Sequence, residues 1–91
     1  MTEQDLIDFG FERNDVTAEE SGADNDFYYY DIDLGSNGSI SLISPSNDEV
    51  ENENWYVEVF EDAKVMFTDK DDLKIFIDII NKNTLHEEEN N

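Results

Sequence analysis

The 91-residue sequence predicts a small α+β domain. Its expected architecture is an antiparallel sheet of three to four strands, a meander with a central β-hairpin, packed by a C-terminal α-helix and preceded by a short N-terminal helix. Three observations carry this reading. In Phe27–Ile43, two runs of strand-forming residues flank Gly35-Ser36-Asn37-Gly38, and Asn-Gly is the dipeptide that tolerates positive φ in a tight hairpin turn. In Lys70–Lys82, Leu73, Phe76, Ile77 and Ile80 fall at i, i+3, i+4 and i+7, the period of a helix that buries one stripe. Eleven aromatics are too many for a disordered acidic tail and enough for one modest core.

Taken in order, Thr2–Phe9 reads as a short helix. Thr2 is its N-cap, Asp5 three residues later is a capping-box partner, and Gly10 is the left-handed residue that ends it. So short a helix forms only if docked, and Leu6, Phe9 and Phe11 are the docking residues. Phe11–Val16 is a candidate edge strand. Thr17–Asp26 reads as a polar loop, because Gly22 and its small and acidic neighbours argue against a packed element. Its acids, and those of Asp31–Asn37, invite comparison with a calcium loop. Counted from Asp31, however, position 6 is Ser36 instead of glycine and position 12 is Leu42 instead of glutamate.

The hairpin strands alternate. Tyr28, Tyr30, Ile32, Leu34, Ile40 and Leu42, joined by Trp55, Val57 and Val59, are assigned to the face under the helices. Phe27, Tyr29, Asp31, Asp33, Ile43, Tyr56, Glu58 and Phe60 are assigned to the opposite face. The second hairpin strand is Ser39–Ser44, and Pro45 ends it because proline cannot donate to the ladder. Ser46–Asn54 is a second acidic loop. Trp55–Phe60 is the third strand, and Val65–Thr68 is a short fourth with Val65 and Phe67 on one face. Thr68 or Asp69 caps the C-terminal helix, whose apolar stripe Ile75 and Ile79 widen. Residues 1–83 are expected to form one domain and 84–91 a flexible acidic tail. In that tail His86 sits beside three glutamates without a second His or Cys, so no metal site is expected.

Charge is the outlying property, at −20. Residues 1–63 hold 18 acids against the lone base Arg13; residues 64–91 hold seven acids against four lysines. Such a field repels nucleic acid and anionic lipid and attracts basic proteins. The absence of cysteine suits a reducing compartment. The first ten residues lack the basic and apolar regions of a signal peptide, and no run approaches the ~20 apolar residues of a membrane span. A cytoplasmic protein is expected, with no membrane and no direct nucleic-acid partner. There is no nucleophile–histidine set and no glycine-rich phosphate loop, and a domain this small has little room for a walled carboxylate cleft. Neither enzyme activity nor a cofactor is expected.

Two functional classes remain. In the first, the protein is a decoy or inhibitor, a DNA mimic or an immunity-type partner, that covers a basic surface of a nucleic-acid-binding protein. Asp31 and Asp33 lie about 6.7 Å apart along one strand face and could form part of an ordered array of negative charge. The residues assigned to charge presentation are Asp31, Asp33, Glu49, Glu51, Glu53 and Glu58, with Tyr29, Tyr56 and Phe60 as anchors. In the second class, the chain is an assembly protein that associates through an aromatic sheet face, and acidity only maintains solubility. Monomer and homodimer both remain open. Size, acidity and low proline and glycine content suit small accessory proteins of bacteria and their phages.

Overall fold

The computed structural model describes residues 1–35, 38 and 40–84, the side chains of Asp62 and Ala63 excepted. Three helices and five strands follow the order α1 (Glu3–Asp8), β1 (Glu12–Val16), α2 (Ala18–Ser21), β2 (Phe27–Leu34), β3 (Ile40–Ile43), β4 (Val57–Val59), β5 (Asp62–Phe67) and α3 (Lys70–Asn83). The strands form one sheet in sequence order, each antiparallel to the next. Each strand pairs with the next in sequence, the pattern of a meander.

The sheet has five strands, one more than the upper end of the expected range. The fifth is β1, the candidate edge strand, whose sequence ERNDV lacks apolar alternation. It is held by backbone pairing along the long β2, from Glu12 opposite Asp31 to Val16 opposite Phe27. Edge strands need no apolar pattern when one face is open.

α1 begins and ends as its sequence dictates. The Thr2 hydroxyl accepts from the Asp5 N–H at 3.2 Å, and Asp5 Oδ2 accepts from the Thr2 N–H at 2.8 Å. That backbone donor chiefly holds the Asp5 carboxyl below its usual range. At the other end Gly10 has φ 95°, its N–H donates to Ile7, and the Phe11 N–H donates to Leu6. These two bonds make a Schellman motif, which turns Phe11 back into the core beside Leu6.

The core lies on one face of the sheet. Leu6 of α1 and Leu73 and Ile77 of α3 cluster with Tyr30, Leu34, Leu42, Trp55 and Val57. All nine residues assigned to the helix-covered face belong to this cluster or pack against it. The aromatic part is a triad. Trp55 stacks on Tyr28 at 6.3 Å and meets Tyr30 edge-on at 5.6 Å, while Arg13 caps the Tyr28 ring at 3.6 Å. Offset and edge-to-face contacts suit the quadrupoles of these rings, and the guanidinium suits the ring face.

Tyr30 also ties sheet to helix. Its hydroxyl donates to Glu3 Oε2 at 2.5 Å. Burial first, and then this bond to the Glu3 carboxylate, push the Tyr30 phenol up to about 12. Because the folded value lies above the ordinary 10.0, the stabilisation is complete below pH 10 and is lost as pH rises through 12. Alkaline titration followed at 295 nm should therefore show the Tyr30 phenol titrating late, with loss of structure between pH 10 and 12. Tyr30→Phe should remove that late step.

Several expected boundaries move. The loop Thr17–Asp26 contains α2, closed by a capping box between Thr17 and Glu20. The second acidic loop contains a single 3-10 turn, Asn47–Glu49. The hairpin closes on the pair Leu34–Ile40, and the Asn37 half of its expected turn lies outside the described residues. Gly38 is required there, since its φ is 64° and a Cβ would lie 3.3 Å from that of Asp33. The third strand starts at Val57, so Trp55 and Tyr56 precede it, and Phe60–Glu61 form a two-residue connection in which Glu61 has φ 69°. β5 is longer than expected and irregular. Met66 stands opposite Glu58 but Asp62 opposite Val59, so the intervening residues bulge, and Val65 is exposed while Phe67, expected on the same face, is half-buried. On α3, capped by Asp69, only Leu73 and Ile77 are buried. Ile75 and Ile79 do not widen the core stripe: they are 57% and 47% exposed. Of the expected tail, only Thr84 is described.

Candidate functional site

With α1 and α3 on one face, the other face of the sheet is open. Among the described residues, none that alternation assigns to it is buried: Glu12, Asn14, Phe27, Tyr29, Asp31, Asp33, Ser41, Ile43, Glu58 and Met66 are all half-buried or exposed. Register places five of them in one row across all five strands: Glu12, Asp31, Ile43, Glu58 and Met66. Neighbouring strands are ~4.8 Å apart. Across a width of roughly 19 Å the row therefore runs two acids, an isoleucine, one acid and a methionine.

Two of the acids are fixed by side-chain donors. Asn14 Nδ2 donates to Asp31 Oδ1 at 2.7 Å, and Ser41 Oγ donates to Asp33 Oδ1 at 2.6 Å. Each bond orients a carboxylate while leaving its second oxygen available. Where β1 begins, Glu12, Asp31 and Asp33 line a shallow groove of about 230 Å³ with Gly10 and Ile32. Among the described residues no three acids are arranged to hold a metal ion.

The other assigned residues fall elsewhere. Glu49 and Glu51 meet Tyr56 around an open depression of about 430 Å³, which Asn52 and Asn54 complete. Glu53 does not line it. The Asn54 N–H bonds to Glu51 across a turn whose central residues, Asn52 and Glu53, have φ 53° and 59°. Asparagine suits that conformation, but a glutamate there costs on the order of 1 kcal/mol. Phe60 is drawn off the sheet face into the β4–β5 connection, where it is 54% exposed. The structure thus divides the assigned set into a sheet-face group (Tyr29, Asp31, Asp33, Glu58), a loop group (Glu49, Glu51, Tyr56) and two isolated residues.

No family model, curated protein or solved structure matches the chain. Among the described residues no helix is long and apolar enough to cross a membrane.

Sequence reasoning missed Glu12, which belongs to the sheet-face row. Its signal was available: Glu12, Asn14 and Val16 alternate, and pairing them with Asp31, Tyr29 and Phe27 continues the outer face.

Proposed function

We propose that this chain is a non-catalytic, acidic protein-binding module whose outer sheet face covers a basic, nucleic-acid-binding surface on a partner protein. The observation that supports this reading is the uncovered row Glu12–Asp31–Ile43–Glu58–Met66, with Asp33 beside it. Acids interleaved with apolar side chains on a rigid sheet give charge selection and desolvated contact together. Loop acids would repeat charges imprecisely; strand pleat and strand spacing repeat them at fixed intervals. The assembly reading has less support, since Tyr56 and Phe60 leave the sheet face and no continuous aromatic surface forms.

The test is capture on the immobilised protein from a bacterial lysate, with washes at ~50 and then ~300 mM salt, over which screening shortens severalfold. The expected result is retention of one basic nucleic-acid-binding protein at low salt and its release by added duplex DNA. Indiscriminate retention of many basic proteins, or release by salt but not by DNA, would count against a decoy.

A further inference from the structure

A second surface, on the opposite side of the molecule, is built differently. Asp72, Ile75, Ile79 and Lys82 follow one another on α3 at spacings of three, four and three residues, the repeat of a coiled-coil seam. All four are exposed, and the two isoleucines are among the large apolar side chains most open to solvent. They lie outside the core stripe of Leu73 and Ile77, so packing within the chain does not account for them. Nor does pairing: among the described residues neither Asp72 nor Lys82 has an ion-pair partner, whereas neighbouring Lys74 is held by Asp78 at 2.7 Å.

We infer that this stripe binds a second copy of the same chain, α3 against α3 in antiparallel orientation about a two-fold axis at Ile77. In that arrangement position i meets position 154 − i. Ile75 then packs on Ile79 of the second copy, and Asp72 meets its Lys82, with both contacts repeated by symmetry. The stripe is its own complement, as an isologous interface requires.

Charge selects this occupant over others. Two chains of net charge −20 repel each other over most of their surface, but residues 64–84 carry four acids and four lysines. The helix is the part of the molecule on which copies can meet without stacking like charge. The outer sheet face, with Glu12, Asp31 and Glu58 in one row, is excluded from self-contact on the same ground. Docking through α3 leaves both acidic faces pointing away from the dimer, so each dimer offers two of them. The inference does not depend on what those faces bind.

Sedimentation equilibrium of the whole chain at ~150 mM salt tests it. A seam of two isoleucines per chain predicts a weak dimer, monomeric near ~1 μM and substantially dimeric by several hundred μM, as expected for the small end of the interface range. Asp72→Lys and Lys82→Asp should each weaken the dimer about tenfold or more, since each places like charges opposite one another. The double exchange, Asp72→Lys with Lys82→Asp, should restore it, and an equimolar mixture of the two single variants should associate. All these positions are exposed, so unchanged circular dichroism and urea midpoints show that the variants fold. A monomer at every concentration overturns the inference. So does a dimer that both single reversals leave intact, or one that the double exchange fails to restore.

Discussion

Trp55→Ala should destabilise the fold by about 3–5 kcal/mol, the largest effect of any single truncation in the chain. Trp55 is 6% exposed although it lies outside every strand. It fills the space between Tyr28 and Tyr30, and its removal leaves a cavity flanked by two large rings that cannot collapse inward. The lost ring contacts add about 0.5–1.5 kcal/mol beyond the buried area. A domain of this size has a total stability of roughly 5–15 kcal/mol, and self-repulsion at a net charge of −20 places this one toward the low end. The urea midpoint should therefore fall by about 2–3 M. At low salt the variant should be largely unfolded, with partial recovery as added salt screens the repulsion. Phe60→Ala, at an exposed aromatic of the β4–β5 connection, should change stability by no more than about 0.5 kcal/mol. Equal effects of the two changes would mean that the triad is not the keystone of the aromatic core.

The elements written by local chemistry were legible. The Thr2–Asp5 capping box, the Gly10 terminator, the hairpin alternation and the Leu73–Ile77 stripe each need only neighbouring residues, and each is found where it was expected. Elements that depend on a distant partner were less so. β1 was expected only as a candidate edge strand, because it forms where the long β2 can pair with it, a fact absent from ERNDV itself. The bulge in β5 follows from the register that the Phe60–Glu61 connection imposes. α2 was a different kind of miss. Its Thr17–Glu20 box is local, but four residues without an apolar stripe are hard to distinguish from loop. Ile75 and Ile79 show the limit of periodicity, which reports that a helix has an apolar side but not how much of that side the sheet covers.

The candidate site follows the same division. Asp31 and Asp33 were legible as one face of one strand. That Glu58 joins Asp31 in a row with Glu12 depends on pairing across the sheet, which a single sequence leaves open. The loop acids stand apart from that row, as their place in Ser46–Asn54 implies; the left-handed turn at Asn52 and Glu53 was not legible, because glutamate does not advertise that conformation.

Whether the acids act as a pattern or as a number decides the function, and one comparison separates the two. Asp31→Lys, Asp33→Lys and Glu58→Lys together should weaken binding to the DNA-displaceable partner by about 10²–10³-fold, because each places like charge against a basic surface. The control triple, Asp8→Lys, Glu19→Lys and Asp24→Lys, changes exposed acids outside the open face. Both triples move the net charge from −20 to −14, so long-range attraction falls equally. The control should therefore slow association several-fold with little change in dissociation, since steering acts on the encounter and contact acts on the lifetime. Stopped-flow association and displacement kinetics at ~150 mM salt read the two rates separately. The charge-removing set Asp31→Asn, Asp33→Asn and Glu58→Gln guards against disruption of the sheet by lysine, and it should reproduce the faster dissociation to a smaller degree. If both lysine triples weaken binding alike, through association alone, the sheet only carries charge. The row Glu12–Asp31–Ile43–Glu58–Met66 would then have no claim to recognition. If dissociation accelerates only for the sheet-face set, the pleat and register of the sheet set the spacing the partner reads.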